Sequence, residues 1–542
     1  MELKLKKSDK FAGRKGPVLF IIMDGVGIGK QDDSNAVYLA KTPVLDRLND
    51  TAIKTQLKAH GPAVGLPSED DMGNSEVGHN AMGAGRIFAQ GAKLVNKSLE
   101  TGKIFESKSW HSVVEKGLTG GTVHFMGLLS DGNVHSHIQQ LFQLIKRCAE
   151  EKVQKVRLHI LLDGRDVGEK SALEYIKPTE EVLAEINKNY GYDYKIASGG
   201  GRMITTMDRY NADWSVVERG WKAHVLGDAR KFKSAAEAVQ TYYDEDPIMT
   251  DQYLNSFVVV DENNNPVGTI EDGDSVVFFN FRGDRAIEIS RAFNEETFSE
   301  FDRKRFPKVF YAGIMEYDGD LHIPKNYLVE PPVIERTMSE YLCADGVKSF
   351  AVSETQKFGH VTYFWNGNRS GYINADLEQY YEVPSDKIAF DKAPKMKAYE
   401  ITEKVIEYLR SGKYKFGRLN FANGDMVGHC GIVEAAVTAV ETVDECVGKL
   451  LKVVEEMGGI AVVTADHGNA DEMFTISKGK KAVKTAHTLN PVPFYIYDPN
   501  FNGEYAIADV PNAGLTNIAG TLFNLLGYEN VEDYDKSLIK YM

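Results

Sequence analysis

The sequence predicts an α/β fold in which a parallel-sheet domain carries a second α/β domain inserted into it. Short apolar runs alternate with longer amphipathic stretches, which is the pattern of βα units around a parallel sheet. The run Val18–Met23 is continuously apolar, as a strand buried on both faces should be. Candidate metal-ligating residues lie near both ends of the chain, and a separate set of βα units lies between them. This order indicates an insertion.

The C-terminal third predicts two more buried strands, at Arg418–Ala422 and Gly459–Thr464. Between them, apolar residues recur at helical spacing from Ile432 to Val454, and Gly458 ends the run. One long helix is therefore expected between two strands of the same sheet.

The middle of the chain predicts its own series of strands and helices. In order these are strand Thr122–Leu129, helix His137–Lys152, strand Val156–Leu162, helix Ser171–Asn189, strand Ser275–Phe281 and a helix from about Asp284. Pro178 predicts a break or a kink in the second of these helices, because proline removes a backbone donor and crowds the preceding turn.

Composition excludes several classes of protein. The 542 residues are 43% hydrophobic and 26% charged, which is ordinary globular composition and not that of a disordered or collagen-like chain. The net charge of −15 argues against non-specific binding to nucleic acid or anionic membranes. No apolar run approaches the roughly 18 residues of a transmembrane helix. The four cysteines form no CxxC pair, so a reduced, cytoplasmic compartment is expected.

Candidate metal ligands cluster in the C-terminal third. Asp425 and His429 lie four residues apart, Asp466 and His467 directly follow a predicted strand, and His487 lies further on. Each sits at or beyond the end of an apolar run, at the sheet edge where open α/β folds bind ligands. Mixed Asp and His ligands suit Zn, Mn or Co better than Ca or Mg. The alternative is that the acids are turn formers or helix caps.

The N-terminal part adds two candidates. Asp24 ends the first predicted strand, the position that Asp466 has in its own strand, so a metal-ligand role is favoured. The glycines after it read GVGIG instead of GxGxxG, which supports a dinucleotide loop only weakly. Ser75, in DMGNSEVGHN, is a candidate nucleophile, since a helix N-terminus and a divalent metal both favour phosphoryl chemistry. The alternative is that Ser75 is a helix N-cap.

Nine separated motifs carry a resemblance to a known family. In order they are IMDGVGIG, GNSEVGHNAMGAGR, DGNVHSH, LLDGRD, FFNFRGDRAIE, SETQKFGHVTYFWNG, ANGDMVGHCG, TADHGN and TAHT. Together they resemble the cofactor-independent (2,3-bisphosphoglycerate-independent) phosphoglycerate mutases of the alkaline phosphatase superfamily. The resemblance spans roughly residues 17 to 540. It implies an isomerase of glycolysis and gluconeogenesis that interconverts 3-phosphoglycerate and 2-phosphoglycerate through a phosphoserine, without bisphosphoglycerate.

The resemblance also implies two divalent metal ions. Mn²⁺ is the expected metal, Co²⁺ is the second choice, and Zn²⁺ or Mg²⁺ ranks below both. One ion would be held by Asp425, His429 and His487. The other would be held by Asp24, Ser75, Asp466 and His467. Ser75 would be the nucleophile, and Lys357, in SETQKFGH, would lie near the transferred phosphate; a surface lysine is the alternative.

The middle segment would bind the rest of the substrate. The implied residues are His135, Arg165, Asp166, Arg202, Arg209, Arg282 and Arg285. Arginine suits carboxylate and phosphate because its planar fork binds both bidentately. Asp166 would be the acid/base for the glycerate hydroxyl. Arg202 and Arg209 are one residue further apart than is common in the family. The glycines Gly199–Gly201 before them would either present amides to an anion or form a plain loop.

The resemblance implies the domain layout and the partners. Residues 1–89 and 331–542 would form the metal-binding domain, and residues 90–330 the inserted substrate domain. The protein would act as a monomer on a small phosphorylated acid, with no nucleic-acid or membrane partner. A two-metal phosphatase, a phosphopentomutase and a non-catalytic phospho-metabolite binder are the rival functions. The phosphatase is disfavoured by the presence of the substrate arginines. The phosphopentomutase is disfavoured by the serine in GNSEVGH, and the non-catalytic binder by the complete set of metal ligands.

Overall fold

The computed structural model describes residues 3–66, 68–88, 91–209, 213–319, 321–331, 334–477 and 480–542. The chain divides into two units, one formed by residues 1–89 with 331–542 and the other by residues 90–330. Residues 89 and 90, where the expected domain boundary falls, lie outside the described residues. Among the helices that are described, none is long and apolar enough to span a membrane.

The first unit is built on a seven-stranded sheet. Across the sheet, its strands are Glu378–Val383, Ser349–Glu354, Phe416–Phe421, Val18–Met23, Ile460–Thr464, Val492–Tyr497 and Ile53–Leu57. The first five strands of this order run parallel, which confirms the predicted parallel sheet. Val492–Tyr497 runs antiparallel to both of its neighbours and was not predicted. Two small hairpins pair Phe474–Ser477 with Lys480–Val483 and Tyr505–Ile507 with Ile539–Tyr541.

The helices of the first unit pack on this sheet. They are Ala36–Leu39, Pro43–Thr51, Ser75–Ala84, Met338–Ala344, Thr355–Gly359, Ala398–Arg410, Asn423–Gly428, Val433–Glu456 and Asn517–Leu525. The predicted long helix runs from Val433 to Glu456, and Gly458 follows it at φ +65°. Its buried face joins a core that includes every residue of Val18–Met23.

Register places the ends of the central strands at one level. Ile22 lies opposite both Asn420 and Thr464 in the two neighbouring strands. Asp24 and Asp466 therefore follow two residues later at the same edge of the sheet. Every residue of these three strands is buried, because both faces of the sheet are covered.

The second unit has its own seven-stranded sheet. Its strands across the sheet are Arg230–Phe232, Phe257–Val259, Asp193–Gly201, Lys155–Leu162, Val123–Leu128, Ser275–Phe278 and Phe310–Gly313. All neighbours are parallel except Asp193–Gly201 and Phe257–Val259. Its helices are Ala92–Glu100, Lys103–Glu106, Lys108–Leu118, Ile138–Glu150, Ala172–Tyr190, Trp214–Trp221, Ala235–Glu245 and Ile287–Asn294. The strands and helices predicted for the middle of the chain are all present here.

Two local features of the second unit differ from what the sequence predicts, since the helix does not break at Pro178 and the three glycines form no loop. Helix Ala172–Tyr190 continues through Pro178, because burial of Ile176, Leu183 and Ile186 offsets the loss of one backbone hydrogen bond. Gly199–Gly201 ends strand Asp193–Gly201 and forms neither a loop nor an anion cradle. Side chains there would collide with the neighbouring backbone, since a Cβ on Gly199 would lie 2.5 Å from the Ile160 carbonyl oxygen.

Candidate functional site

Ser75 is the first residue of helix Ser75–Ala84. Asn74 is the N-cap, and its side chain accepts a hydrogen bond from the Val77 amide at 2.8 Å. The interpretation of Ser75 as the N-cap is therefore wrong. Because Asn74 performs the capping, the Ser75 hydroxyl is available to the cluster of acids and histidines at the sheet edge.

The Ser75 hydroxyl lies among three of the expected metal ligands. Its Oγ is 3.2 Å from Asp24 Oδ1 and 2.9 Å from His467 Nε2. His467 Nε2 is 3.4 Å from Asp24 Oδ1 and 3.7 Å from Asp466 Oδ2. All four side chains are buried. Asp24, Asp466 and His467 offer ligand atoms close enough together to share one metal ion.

Asp425, His429 and His487 form a second group beside the first. Asp425 Oδ1 is 3.2 Å from His429 Nε2 and 3.1 Å from His487 Nε2, and these two nitrogens are 3.2 Å apart. The His487 ring stacks on His467 with centroids 3.8 Å apart. The seven expected metal ligands therefore lie in one cluster that contains two groups.

The hydrogen bonds of these histidines fit a bound cation. His429 Nδ1 lies 2.5 Å from the Thr485 carbonyl oxygen, and His487 Nδ1 lies 2.8 Å from the Gly73 carbonyl oxygen. A carbonyl accepts only, so each Nδ1 carries the proton and each Nε2 presents a lone pair. Two lone pairs and a carboxylate oxygen then converge within 3.2 Å, an arrangement that a divalent cation stabilises.

Lys357 is fully buried in the same cluster. Its Nζ donates to Ser75 Oγ at 2.6 Å and to Asp425 Oδ2 at 2.8 Å, and lies 3.5 Å from Asp24 Oδ1. The short helix Thr355–Gly359 that carries it runs directly into a π-helical turn, His360–Phe364. Such turns are frequent at functional sites. The interpretation of Lys357 as a surface lysine is wrong.

Burial and neighbouring charges perturb the titration of these groups. Burial and the nearby Asp466 carboxylate raise the pKa of Asp24 to about 7. Burial also opposes ionisation of Asp425, but the adjacent Lys357 ammonium holds its pKa well below the usual range. Burial and His487 lower the pKa of His467 to about 4, so this ring is neutral and able to bind a metal.

Three polar side chains in this cluster were missed from the sequence. His79 lies one helical turn after Ser75, with Nδ1 2.7 Å from the Ser75 carbonyl oxygen and 3.4 Å from Asp466 Oδ2. Asn420 donates to Asp24 Oδ2 at 2.7 Å, and Asn469 donates to Asp425 Oδ1 at 3.0 Å. They orient the carboxylates. His79 and Asn469 lie inside the motifs GNSEVGH and TADHGN, which was the available signal.

Gly25 permits the close approach of two parts of this cluster. It has φ +75°, and a Cβ there would lie 2.6 Å from the backbone N and Cα of Asp425. We expect Gly25→Ala to displace Asp425 and weaken metal binding, in addition to roughly 1–3 kcal/mol of backbone strain. Calorimetric titration with Mn²⁺ and thermal unfolding with and without the metal measure the two effects.

Gly412→Ala is the matched control for this substitution. Gly412 belongs to the same unit and has φ +63°, but nothing lies within 4 Å of its added Cβ. It should show the strain without the loss of metal affinity. Equal metal affinity in both variants would contradict the steric role given to Gly25.

A second cluster lies in the inserted unit and centres on Arg202, which is 2% exposed. Its Nη1 pairs with Asp163 Oδ1 at 2.8 Å and with Asp166 Oδ2 at 2.5 Å. Its Nη2 lies 2.6 Å from His135 Nε2. Arg202 therefore joins two expected residues, His135 and Asp166, to Asp163, which the sequence reasoning missed although it stands within LLDGRD.

Two of the other arginines, Arg209 and Arg282, pair with Asp284, whereas Arg165 is exposed. The Asp284 carboxylate lies 3.2 Å from Arg209 Nη1 and 3.0 Å from Arg282 Nε. Arg285 Nη1 donates to the Met207 carbonyl oxygen at 2.6 Å. Burial, followed by the charge of Arg209, lowers the pKa of Arg285 to about 10, and the charges of Arg202 and Arg165 act in the same direction. The extra residue between Arg202 and Arg209 leaves both inside the cluster.

The cluster carries net positive charge, because five arginines outnumber Asp163, Asp166 and Asp284. Burial and the charges of Arg202 and Arg282 hold the pKa of His135 well below its usual value, so His135 is neutral. His137 is the N-cap of helix Ile138–Glu150, where its Nδ1 accepts from the Gln139 amide at 3.1 Å. Excess positive charge on planar guanidinium groups, three of them buried, suits a substrate that carries carboxylate or phosphate.

Known proteins are similar to this sequence over nearly its whole length. The family model of the metalloenzyme superfamily matches residues 16–530. A probable 2,3-bisphosphoglycerate-independent phosphoglycerate mutase of Leptospira interrogans is 53% identical, over 99% of this chain and all of its own. The 2,3-bisphosphoglycerate-independent phosphoglycerate mutase of Trypanosoma brucei brucei is 50% identical, over 96% of this chain and 97% of its own.

A solved structure is similar as well. The crystal structure of Leishmania mexicana phosphoglycerate mutase at low cobalt concentration has a TM-score of 0.63 to this chain. It is 50% identical in sequence and covers 99% of this chain and 100% of its own.

Proposed function

The chain belongs to the 2,3-bisphosphoglycerate-independent phosphoglycerate mutases of the metalloenzyme superfamily, and from this membership we propose how its residues carry the reaction. The protein is an isomerase that interconverts 3-phosphoglycerate and 2-phosphoglycerate in glycolysis. We propose that it also serves gluconeogenesis, as a monomer in the cytoplasm, and that the phosphoryl group rests on Ser75 between its two transfers.

The position of the Ser75 hydroxyl carries this proposal. Its Oγ lies 2.6 Å from the Lys357 ammonium, 3.2 Å from Asp24 and 2.9 Å from His467. A serine that attacks phosphorus needs its developing negative charge stabilised and its oxygen aimed. The buried Lys357 supplies a positive charge at that oxygen, and the start of helix Ser75–Ala84 adds backbone amides to the same place.

The two ligand groups would hold two divalent metal ions. Asp425, His429 and His487 would hold one, and Asp24, Ser75, Asp466 and His467 the other. Bound there, such ions lower the pKa of a coordinated hydroxyl and neutralise the charge of the transferred phosphoryl group. We propose Mn²⁺ as the physiological ion, with Co²⁺ as a substitute and Zn²⁺ or Mg²⁺ as poorer ones. Three carboxylates against two dications leave a net positive site for an anionic substrate.

The arginine cluster of the inserted unit would hold the glycerate part of the substrate. Arg165, Arg202, Arg209, Arg282 and Arg285 offer several forks for its carboxylate and phosphate oxygens. His135 would donate or accept as a neutral imidazole, its Nε2 held by Arg202 at 2.6 Å. Asp166, anchored by Arg202 Nη1 at 2.5 Å, would exchange the proton of the glycerate hydroxyl as the phosphoryl group leaves or arrives.

A metal-controlled turnover assay tests the proposal. Purified protein receives 3-phosphoglycerate without bisphosphoglycerate, and 2-phosphoglycerate is followed through enolase. Untreated, chelated and metal-restored samples are compared, the last with Mn²⁺, Co²⁺, Zn²⁺ or Mg²⁺. We expect turnover to stop with the chelator and to return most fully with Mn²⁺. Release of inorganic phosphate without 2-phosphoglycerate would instead indicate a phosphatase, and turnover that survives chelation would refute the metal requirement.

A further inference from the structure

A chain of buried side chains crosses the sheet of the inserted unit. His124 Nε2 lies 3.0 Å from Asp274 Oδ2, and His124 Nδ1 lies 2.9 Å from His159 Nε2. His159 Nδ1 lies 2.6 Å from Ser198 Oγ, which lies 2.7 Å from His224 Nδ1. The last link joins His224 Nε2 to Thr206 Oγ1 at 2.9 Å. The three histidines, Ser198 and Thr206 are 0–1% exposed, and the reaction described above uses none of them.

The three imidazoles are neutral. Burial holds the pKa of His159 well below its usual value and that of His224 at about 3, and a positive charge on one ring would disfavour a second charge on its neighbours. Burial also lowers the pKa of His124. Burial alone would raise the pKa of Asp274, but the hydrogen bond from His124 lowers it, so the chain ends on a carboxylate.

These protonation states allow only one direction of hydrogen bonding. The Asp274 carboxylate only accepts, so His124 Nε2 carries a proton and His124 Nδ1 accepts from His159 Nε2. His159 Nδ1 must then accept from the Ser198 hydroxyl, whose oxygen accepts from His224 Nδ1. His224 Nε2 is left as an acceptor, and the Thr206 hydroxyl donates to it. A single carboxylate thereby fixes both the tautomer of every ring and the rotamer of Thr206.

Thr206 has an unusual backbone conformation. Its φ is +69°, in the left-handed region that a β-branched residue rarely adopts. Its amide donates to the Val216 carbonyl oxygen at 2.8 Å, and a Cβ on Gly220 would lie 2.0 Å from its Oγ1. Such a conformation persists only where the surroundings hold it, and it is found most often at functional sites. The hydrogen bond to His224 is one of the contacts that hold it.

The segment that Thr206 belongs to carries the substrate arginines. Arg202 precedes Thr206, and Arg209 follows it. The next residue, Met207, accepts from Arg285 Nη1 at 2.6 Å through its carbonyl oxygen. Rotation of the backbone at Thr206 would therefore move the Met207 carbonyl and release Arg285 from its place.

We propose that Thr206, held by the buried chain from Asp274 to His224, is a positioning residue for Arg285 and for the segment 202–209 that binds substrate. The proposal rests on the function assigned above to the arginine cluster. It predicts that the hydroxyl of Thr206 affects substrate binding without touching substrate, and that its effect is independent of the metal centre.

Kinetics of three variants of the full, metal-loaded chain test this role. Thr206→Val removes the hydroxyl and keeps the side-chain shape, and we expect kcat/KM to fall about tenfold, mainly through KM. Thr206→Ser restores the hydroxyl and should remain within about twofold of the unaltered protein. Thr179→Val is the matched control, because Thr179 is equally buried in the same unit and its hydroxyl donates to the Tyr175 carbonyl oxygen at 2.7 Å, outside the chain and the substrate segment. Metal content should not change in any of the three.

Unchanged KM and kcat in Thr206→Val would overturn the proposal, and so would an equal loss in Thr179→Val. An equal loss in Thr206→Ser would show that the hydroxyl is not the cause and would also overturn it. If the unaltered protein forms no 2-phosphoglycerate, the assigned function is refuted. The Thr206 variants test only the positioning role of Thr206.

The direction of hydrogen bonding can also be measured in the unaltered protein, without any substitution. Nitrogen-15 NMR of the histidine-labelled, Mg²⁺-loaded protein reports which ring nitrogen carries the proton. We expect the Nε2–H tautomer for His124 and His159 and the Nδ1–H tautomer for His224, all of them neutral at pH 7. A proton on His224 Nε2, or a charged ring in the chain, would refute the direction of hydrogen bonding and with it the hold on Thr206.

Discussion

Ser75→Ala is expected to abolish turnover while leaving the metal centre in place. The substitution removes the oxygen proposed to receive the phosphoryl group, and loss of a covalent nucleophile costs about 10⁵–10⁶-fold in kcat. Six of the seven proposed ligands remain, so metal content measured by plasma mass spectrometry should stay close to that of the unaltered protein. Acid quenching during turnover of ³²P-labelled 3-phosphoglycerate should trap label on Ser75 in the unaltered protein only.

Ser349→Ala is the control for this experiment. Ser349 is also buried and begins strand Ser349–Glu354, at the opposite end of the sheet from the cluster. It should keep both turnover and the labelled enzyme. Residual turnover of Ser75→Ala above about one part in a thousand, or label trapped on another residue, would contradict Ser75 as the nucleophile.

Arg202→Lys is expected to have the second-largest effect. One guanidinium contacts Asp163, Asp166 and His135 at the same time, at 2.8, 2.5 and 2.6 Å. A lysine keeps the charge but has a single nitrogen, so it cannot hold all three groups in place. We expect kcat/KM to fall about 10²–10³-fold, the range seen when one preorganised donor is removed from an active site. Steady-state kinetics with the enolase coupling measures this loss.

Arg157→Lys separates catalysis from stability. Arg157 is as buried as Arg202 and lies in the same unit, where it pairs with Asp193 and donates to the Val267 carbonyl oxygen at 2.7 Å. The Arg157→Lys substitution should lower the thermal stability of the inserted unit without a comparable loss of kcat/KM. Similar kinetic losses in both variants would mean that Arg202 acts through the fold and not on the substrate.

Much of the fold could be predicted because its signals are local. Val18–Met23 has the predicted bounds since six consecutive apolar residues fit only a strand buried on both faces. The long helix was predicted to within two residues at its C-terminus by its apolar periodicity and Gly458. The strand Val492–Tyr497 was missed although its run VPFYIY is largely apolar, and its antiparallel direction could not be predicted because direction depends on pairing partners distant in sequence.

The site divides in the same way. The acids and histidines at strand ends could be grouped from the residues alone, because parallel strands end at one sheet edge. Lys357 depended on the resemblance, since nothing local distinguishes a fully buried lysine from a surface one. Asn420 was missed because it lies inside a strand with no local signal of a role. Its role is visible only in the fold, where the neighbouring strand places Asp24 Oδ2 2.7 Å from Asn420 Nδ2.

The place of Val18–Met23 at the centre of its sheet bears on how the protein is made. Its two partners, Phe416–Phe421 and Ile460–Thr464, leave the ribosome about 400 residues later, which at bacterial or eukaryotic elongation rates is about 20–80 s. The inserted unit has its own core and all of its strands by residue 330, so it can be folded during that interval. The nascent N-terminal segment meanwhile presents an unpaired apolar strand. Chaperone dependence during synthesis is therefore expected to reside in the first 90 residues, although their strand Val18–Met23 ends up fully buried.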